Sequence, residues 1–104
     1  MRRAARTDEN HKQMVEAFRS LGCSVLSLAA MGKGVPDLLV AIQGNTWLVE
    51  VKMPKGKQTA DQIEFAKHWQ GKMAIARNTE EAQSIVAQMK TKDEKCIPRI
   101  LLKY

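Results

Sequence analysis

Two runs of β-favouring residues, 37–43 (Asp-Leu-Leu-Val-Ala-Ile-Gln) and 46–52 (Thr-Trp-Leu-Val-Glu-Val-Lys), flank the pair Gly44-Asn45. Such a pair between strands signals a tight hairpin, because two-residue turns that match strand twist need positive φ, which Gly and Asn tolerate. A hairpin fixes which side chains share a face. With Gly44 and Asn45 in the loop, Gln43 faces Thr46, Leu39 faces Glu50 and Asp37 faces Lys52. Side chains alternate along a strand, so Asp37, Glu50 and Lys52 emerge on one face, and Trp47, Val49 and Val51 take the other as core. Asp37 and Glu50 are then diagonal neighbours, with backbones roughly 7–8 Å apart. Two carboxylates at that separation can lean onto one cation. A loop one residue longer would throw Asp37 to the opposite face.

The ordinary use of Glu-x-Lys is a cross-strand salt bridge on a solvated face. Here Asp37 follows Pro36 at the mouth of a strand, in a chain with a basic excess. Clustered carboxylates repel unless a cation or a proton relieves them. Mg2+ does so while keeping positions open for water and phosphate oxygens. A lysine alongside can orient or help deprotonate the attacking water and offset phosphate charge in the transition state. The pattern points to metal-assisted hydrolysis at Asp37, Glu50 and Lys52.

The charge balance fits that reading. The 104 residues carry 17 Lys and Arg against 11 Asp and Glu, a net +6, which suits a polyanion, most often nucleic acid. Charge alone leaves open a merely basic soluble protein. With 44% hydrophobic residues, a single small domain spanning 1–104 can bury a modest core. No apolar run approaches the roughly 20 residues that span a bilayer. The opening Met-Arg-Arg-Ala-Ala-Arg is not followed by the apolar stretch of a signal peptide. Cys23 and Cys96 are far apart and lack metal-ligand spacing, which fits free thiols in a reducing cytosol; His11 and His68 are too isolated for a zinc site.

Along the chain, residues 1–6 form a basic arm, either phosphate-touching or without a role. Thr7 or Asp8 caps a first helix whose Met14, Val15, Phe18 and Leu21 recur at helical spacing before Gly22 stops it. Residues 23–29 read as a first strand. The loop 30–34 follows, where Gly34 would let backbone approach a phosphate and Lys33 would contact it, or where ordinary turn chemistry prevails. Residues 38–42 are almost wholly apolar, as in a central strand covered on both faces. Lys55 and Lys57 lie on a flexible basic loop, placed either to hold a phosphate backbone or simply to be solvated. Thr59 and Gln62 form a capping box that opens a second helix, with Thr59, Gln62, Ile63, Ala66 and Trp69 on its inward side. Trp69 reads as core, with base stacking as the alternative. Residues 73–76 make a short strand, and Asn78 caps a third helix with the stripe Ala82, Ile85, Val86 and Met89. A tail, 91–104, ends the chain. The order is α-β-β-β-α-β-α, an α/β fold with one mixed sheet flanked by helices.

Pro36-Asp37 followed by Glu50-Val51-Lys52 resembles the signature of the PD-(D/E)XK nuclease superfamily. Residues 32–37 (Gly-Lys-Gly-Val-Pro-Asp) and Thr59-x-x-Gln62 resemble its virus-type replication-repair nuclease (VRR-NUC) branch, especially small stand-alone phage members. The resemblance spans residues 7 to 90. It implies a restriction-endonuclease-like αβββαβ core and a Mg2+-dependent endodeoxyribonuclease, with Mn2+ able to substitute. Asp37, Glu50 and the Val51 carbonyl would bind metal, Lys52 would assist the water and Gln62 would support the site. Many members take a third acidic ligand from the first helix. Glu9 is the nominee by residue type, although on the helical wheel Asn10 and His11 lie nearer the apolar edge.

By the same resemblance the expected substrate is branched DNA such as a Holliday junction, in the cytoplasm of a bacterial host if the protein is phage-encoded. Action on flaps, ends or nicked duplex is the rival within enzymes, and a non-cleaving DNA-binding module of the same fold is the rival outside them. Symmetric junction cutting requires a homodimer, for which residues 97–102 offer an apolar surface; an edge strand of the monomer's own sheet is their alternative use.

Overall fold

The computed structural model describes residues 5–91, with side chains from Glu9 onward. Arg2, Arg3, Cys96 and the apolar segment 97–102 lie outside the described residues.

Helix α1 (Ala5–Ser20) starts ahead of Thr7 and Asp8, so neither caps it. Met14 and Phe18 are buried, as the helical spacing requires. The helix closes through two bonds, Gly22 N–H to the Arg19 carbonyl and Cys23 N–H to the Phe18 carbonyl, the pairing of a Schellman stop. Strand β1 (Ser24–Ser27) follows, then β2 (Leu38–Ile42), β3 (Asn45–Val51), helix α2 (Ala60–His68), β4 (Met73–Ala76) and helix α3 (Thr79–Lys90). The order agrees with that read from the sequence. The sheet runs β1-β2-β3-β4, antiparallel except for β4, which α2 returns parallel to β3. β1 is shorter than expected because the chain leaves the sheet after Leu28, whose N–H donates to the Asp37 carbonyl at 2.7 Å.

The hairpin loop is Gln43-Gly44, one residue earlier than the expected Gly44-Asn45, with Ile42 paired to Asn45. Both loop residues have positive φ, 53° and 84°, as a type I′ turn demands. Asn45 enters β3 instead, and its side-chain amide donates to the Met89 carbonyl near the end of α3. The pairing Leu38 to Val49, carried one step outward, sets Asp37 opposite Glu50 rather than Lys52. A slip of two partners leaves every side chain on its expected face.

One face of the sheet carries Leu38, Val40, Trp47, Val49, Ala74 and Ala76, buried against α1 and α3. The opposite face bears Leu48, Glu50, Met73 and Ile75, also buried. There the covering is thinner over β2, where Leu39 and Ala41 are only half-buried, against the expectation of full cover. Helix α2 stands on this side, yet none of its residues is buried. Ile63 is 40% exposed and Trp69 44%, so the expected inward stripe of α2 is not core. Its ties to the sheet side lie in its first turn.

Candidate active site

Asp37 sits just before β2, where Pro36 is buried and positions it. Its Oδ2 accepts the Val51 N–H at 2.8 Å, across the end of the hairpin. A strand residue points its N–H and C=O toward the same neighbour, so the Val51 carbonyl also faces the Asp37 side. Glu50 stands opposite Asp37 and is only 3% exposed. Lys52 Nζ lies 3.8 Å from Glu50 Oε2. The Lys52 main chain is held on both sides, its N–H by the Ala76 carbonyl at 3.1 Å and its carbonyl by Asn10 Nδ2 at 2.9 Å.

Gln62 closes the cluster from α2. Its Nε2 donates to Glu50 Oε2 at 2.7 Å, while its Oε1 accepts the Thr59 N–H at 2.8 Å. The capping box is complete, since the Gln62 N–H also reaches Thr59 Oγ1. One side chain thus caps the helix and grips the buried carboxylate. Gly34 allows this approach: a Cβ there would collide with the Asp61 carbonyl and come within 3.0 Å of Gln62 N.

Burial, and then the neighbouring Asp37 carboxylate, push Glu50 up to about 8, against a smaller downward pull from Lys52. Two facing acids, one of them nearly sealed from water, need a shared proton or a cation. Among the described residues no group of three or more His, Cys, Asp or Glu could hold a metal. An ion held at this point would have two carboxylate side chains, Asp37 and Glu50, and main-chain carbonyl support as its donors. That set fits a hard, oxygen-seeking ion that keeps several water or phosphate ligands, as Mg2+ does.

A solved structure described as a VRR_NUC domain aligns with the chain at a TM-score of 0.64 and 25% identity, covering 81% of this chain and 97% of its own. The chain has the VRR-NUC fold. It is a nuclease-type domain, with the PD-(D/E)XK-like architecture that its motifs resemble. No protein-family model matches the sequence, and no curated protein matches it.

Within this VRR-NUC fold, α1 sends Asn10 rather than Glu9 toward the cluster. Glu9 is exposed, and its carboxylate accepts from Gln13 Nε2 at 3.4 Å along the same helix. The wheel favoured this outcome and residue chemistry did not. His11 is half-buried.

Lys33, Lys55 and Lys57 are exposed, as groups that touch phosphate must be. Gly34 packs against the protein's own α2 backbone. The basic loop is less slack than its composition suggests, because Arg77 Nη2 donates to the Gly56 carbonyl at 3.1 Å. Arg77 had no signal in the sequence: it follows β4 and meets the loop only through the fold.

Proposed function

We propose that this chain is a Mg2+-dependent DNA endonuclease acting on branched DNA, with Mn2+ able to substitute. The observation that carries the reading is the buried Glu50 carboxylate facing Asp37, with Lys52 Nζ 3.8 Å from it. Asp37 and Glu50 would hold the ion, with the Val51 carbonyl. A bound Mg2+ supplies a water of lowered pKa and offsets charge on the scissile phosphate. Gln62 keeps one Glu50 oxygen fixed, which would leave the other for the ion. Lys52 orients the water and steadies the phosphate as its charge grows. The water oxygen bonds to phosphorus, one P–O ester bond breaks and the leaving oxygen gains a proton. Lys55 and Lys57, on the loop pinned at Gly56, grip flanking phosphates.

The preferred substrate is a four-way junction, with flaps, ends and nicked duplex as the competing class. Paired incision takes two sites and the described residues carry one, so a homodimer is required. Incubating the protein with labelled junction, flap, nicked and linear duplex, with and without Mg2+, tests the reading. Symmetric cuts in the junction only with Mg2+ are expected. Binding without cleavage on any substrate would make it a DNA-binding module. Light scattering at low micromolar concentration should show a dimer. A wild-type monomer, alone and on a junction, would sink the resolvase reading.

A further inference from the structure

Beyond Gln62, α2 and Trp69, the residue that caps its C-terminal end, carry an aromatic pair that the core does not use. Phe65 and Trp69 stack with ring centroids 5.5 Å apart and planes 19° from parallel. Trp69 is 44% exposed. The indole is nonetheless held in place. A Cβ added at Gly71 would lie 2.8 Å from Trp69 Nε1 and 3.2 Å from Cε2, so the ring rests against the backbone there as well as against Phe65. A ring already fixed when free loses little entropy on binding a partner.

The pair lines a shallow groove of about 260 Å3, shared with Lys33, Asp61, Glu64 and His68. That volume falls below the roughly 300 Å3 at which drug-sized pockets begin, and suits a single flat ring system. The polar groups around it narrow the chemistry. Two carboxylates make the groove itself a poor place for a phosphate, although Glu64 is partly offset by Lys67 Nζ at 3.9 Å and is hydrogen-bonded to His68 Nε2 at 2.9 Å. Carboxylates do accept from the N–H groups of bases, whether the ring imino N3–H of thymine or the exocyclic amino group of cytosine N4. Lys33 at the groove's edge offers an ammonium to the phosphate attached to such a base. Aromatic faces stack on any base.

The aromatic pair itself shares the side of the helix that carries Gln62. At 100° per residue, Gln62, Phe65 and Trp69 fall within about 60° of one another on α2, and at 1.5 Å per residue Trp69 is about 10 Å from Gln62 along the axis. That is about three nucleotides of stacked strand, at 3.4 Å each. We propose that Phe65 and Trp69 form a platform that stacks an unpaired base about three nucleotides from the scissile phosphate. It selects DNA with an unstacked segment over continuous duplex. The proposal deepens the nuclease reading and rests on it for the identity of the ligand.

The test is binding in EDTA, where no cleavage intervenes, with labelled oligothymidylate, a flap and a continuous duplex of equal length. Trp69→Ala should weaken oligothymidylate and flap binding roughly 5- to 150-fold, the range for losing one stacked base, and leave duplex binding unchanged. Trp69→Phe should keep most of the affinity. Trp47 is only 4% exposed, so oligothymidylate should quench the fluorescence of Trp69, and the quenching should vanish in Trp69→Phe. Unchanged single-strand affinity in Trp69→Ala, an equal loss on duplex, or absence of quenching at saturating oligothymidylate would each overturn the proposal. Cleavage with Mg2+ is scored separately: a wild type that cuts nothing defeats the nuclease reading and leaves the stacking result standing.

Discussion

Gln62 Nε2 donates to Glu50 Oε2 at 2.7 Å, joining the first turn of α2 to the most deeply buried acid of the sheet. The bond spends one carboxylate oxygen on protein and aims the other. Partners of metal-binding groups typically matter 10- to 100-fold in metal affinity or activity. Gln62→Ala should therefore lower cleavage or Mg2+ affinity by about that factor, read from Mg2+ titrations of rate, with circular dichroism close to wild type. Full activity at limiting Mg2+ would reduce Gln62 to a helix cap.

Lys52→Ala should abolish cleavage while DNA binding persists, since a group acting in the transition state governs rate more than affinity. Its main-chain bonds to Ala76 and Asn10 survive the substitution, so the fold should too. Single-turnover assays beside gel-shift titrations check both halves. Asp37→Asn and Glu50→Gln should also lose cleavage and should weaken metal binding.

The raised Glu50 predicts an unusual pH dependence. Between its ordinary value of 4.5 and about 8, the folded metal-free protein keeps a proton that the unfolded chain has released. Stability from this group is thus full below 4.5 and falls as pH rises through that window. In EDTA, the melting temperature of wild type relative to Glu50→Gln should drop steadily from pH 5 to pH 8.5. Mg2+ competes with the same proton, so its affinity should climb over that range. A constant difference between the two proteins would contradict the assignment.

Neutralising Lys55 and Lys57 together should weaken binding to every DNA. The slope of log affinity against log salt should shrink by about 0.9 for each phosphate that is no longer neutralised. An unchanged slope would return the loop to plain solvation.

Gln43 occupies the left-handed region at φ 53° in a turn that favours Asn-Gly. Gln43→Asn should stabilise the domain by about 0.5 kcal/mol, relieving part of the cost of a non-glycine residue with positive φ. Urea denaturation with an unchanged m-value would measure it.

The order of elements was legible because each carries its own punctuation: the stop at Gly22, the box at Thr59 and Gln62, the cap at Asn78. The face shared by Asp37, Glu50 and Lys52 was legible even though the turn was misplaced. Strand period is two, and the pairing slipped by two. Asn45 could not be placed from local propensity, because its partner is the Met89 carbonyl, 44 residues away. Trp69 and Ile63 fall on the inward side of a wheel, which gives direction but not what stands in that direction. Beside α2 little does, and neither is buried. Chemistry nominates Glu9 where geometry favours Asn10, and the helix obeys geometry.

A helix with no buried side chain is, for evolution, an interchangeable part. Provided Gly34 stays bare, and Thr59 and Gln62 keep their positions, the outer residues of α2 answer to no packing demand from the sheet. That surface can be rewritten while Asp37, Glu50 and Lys52 keep their places.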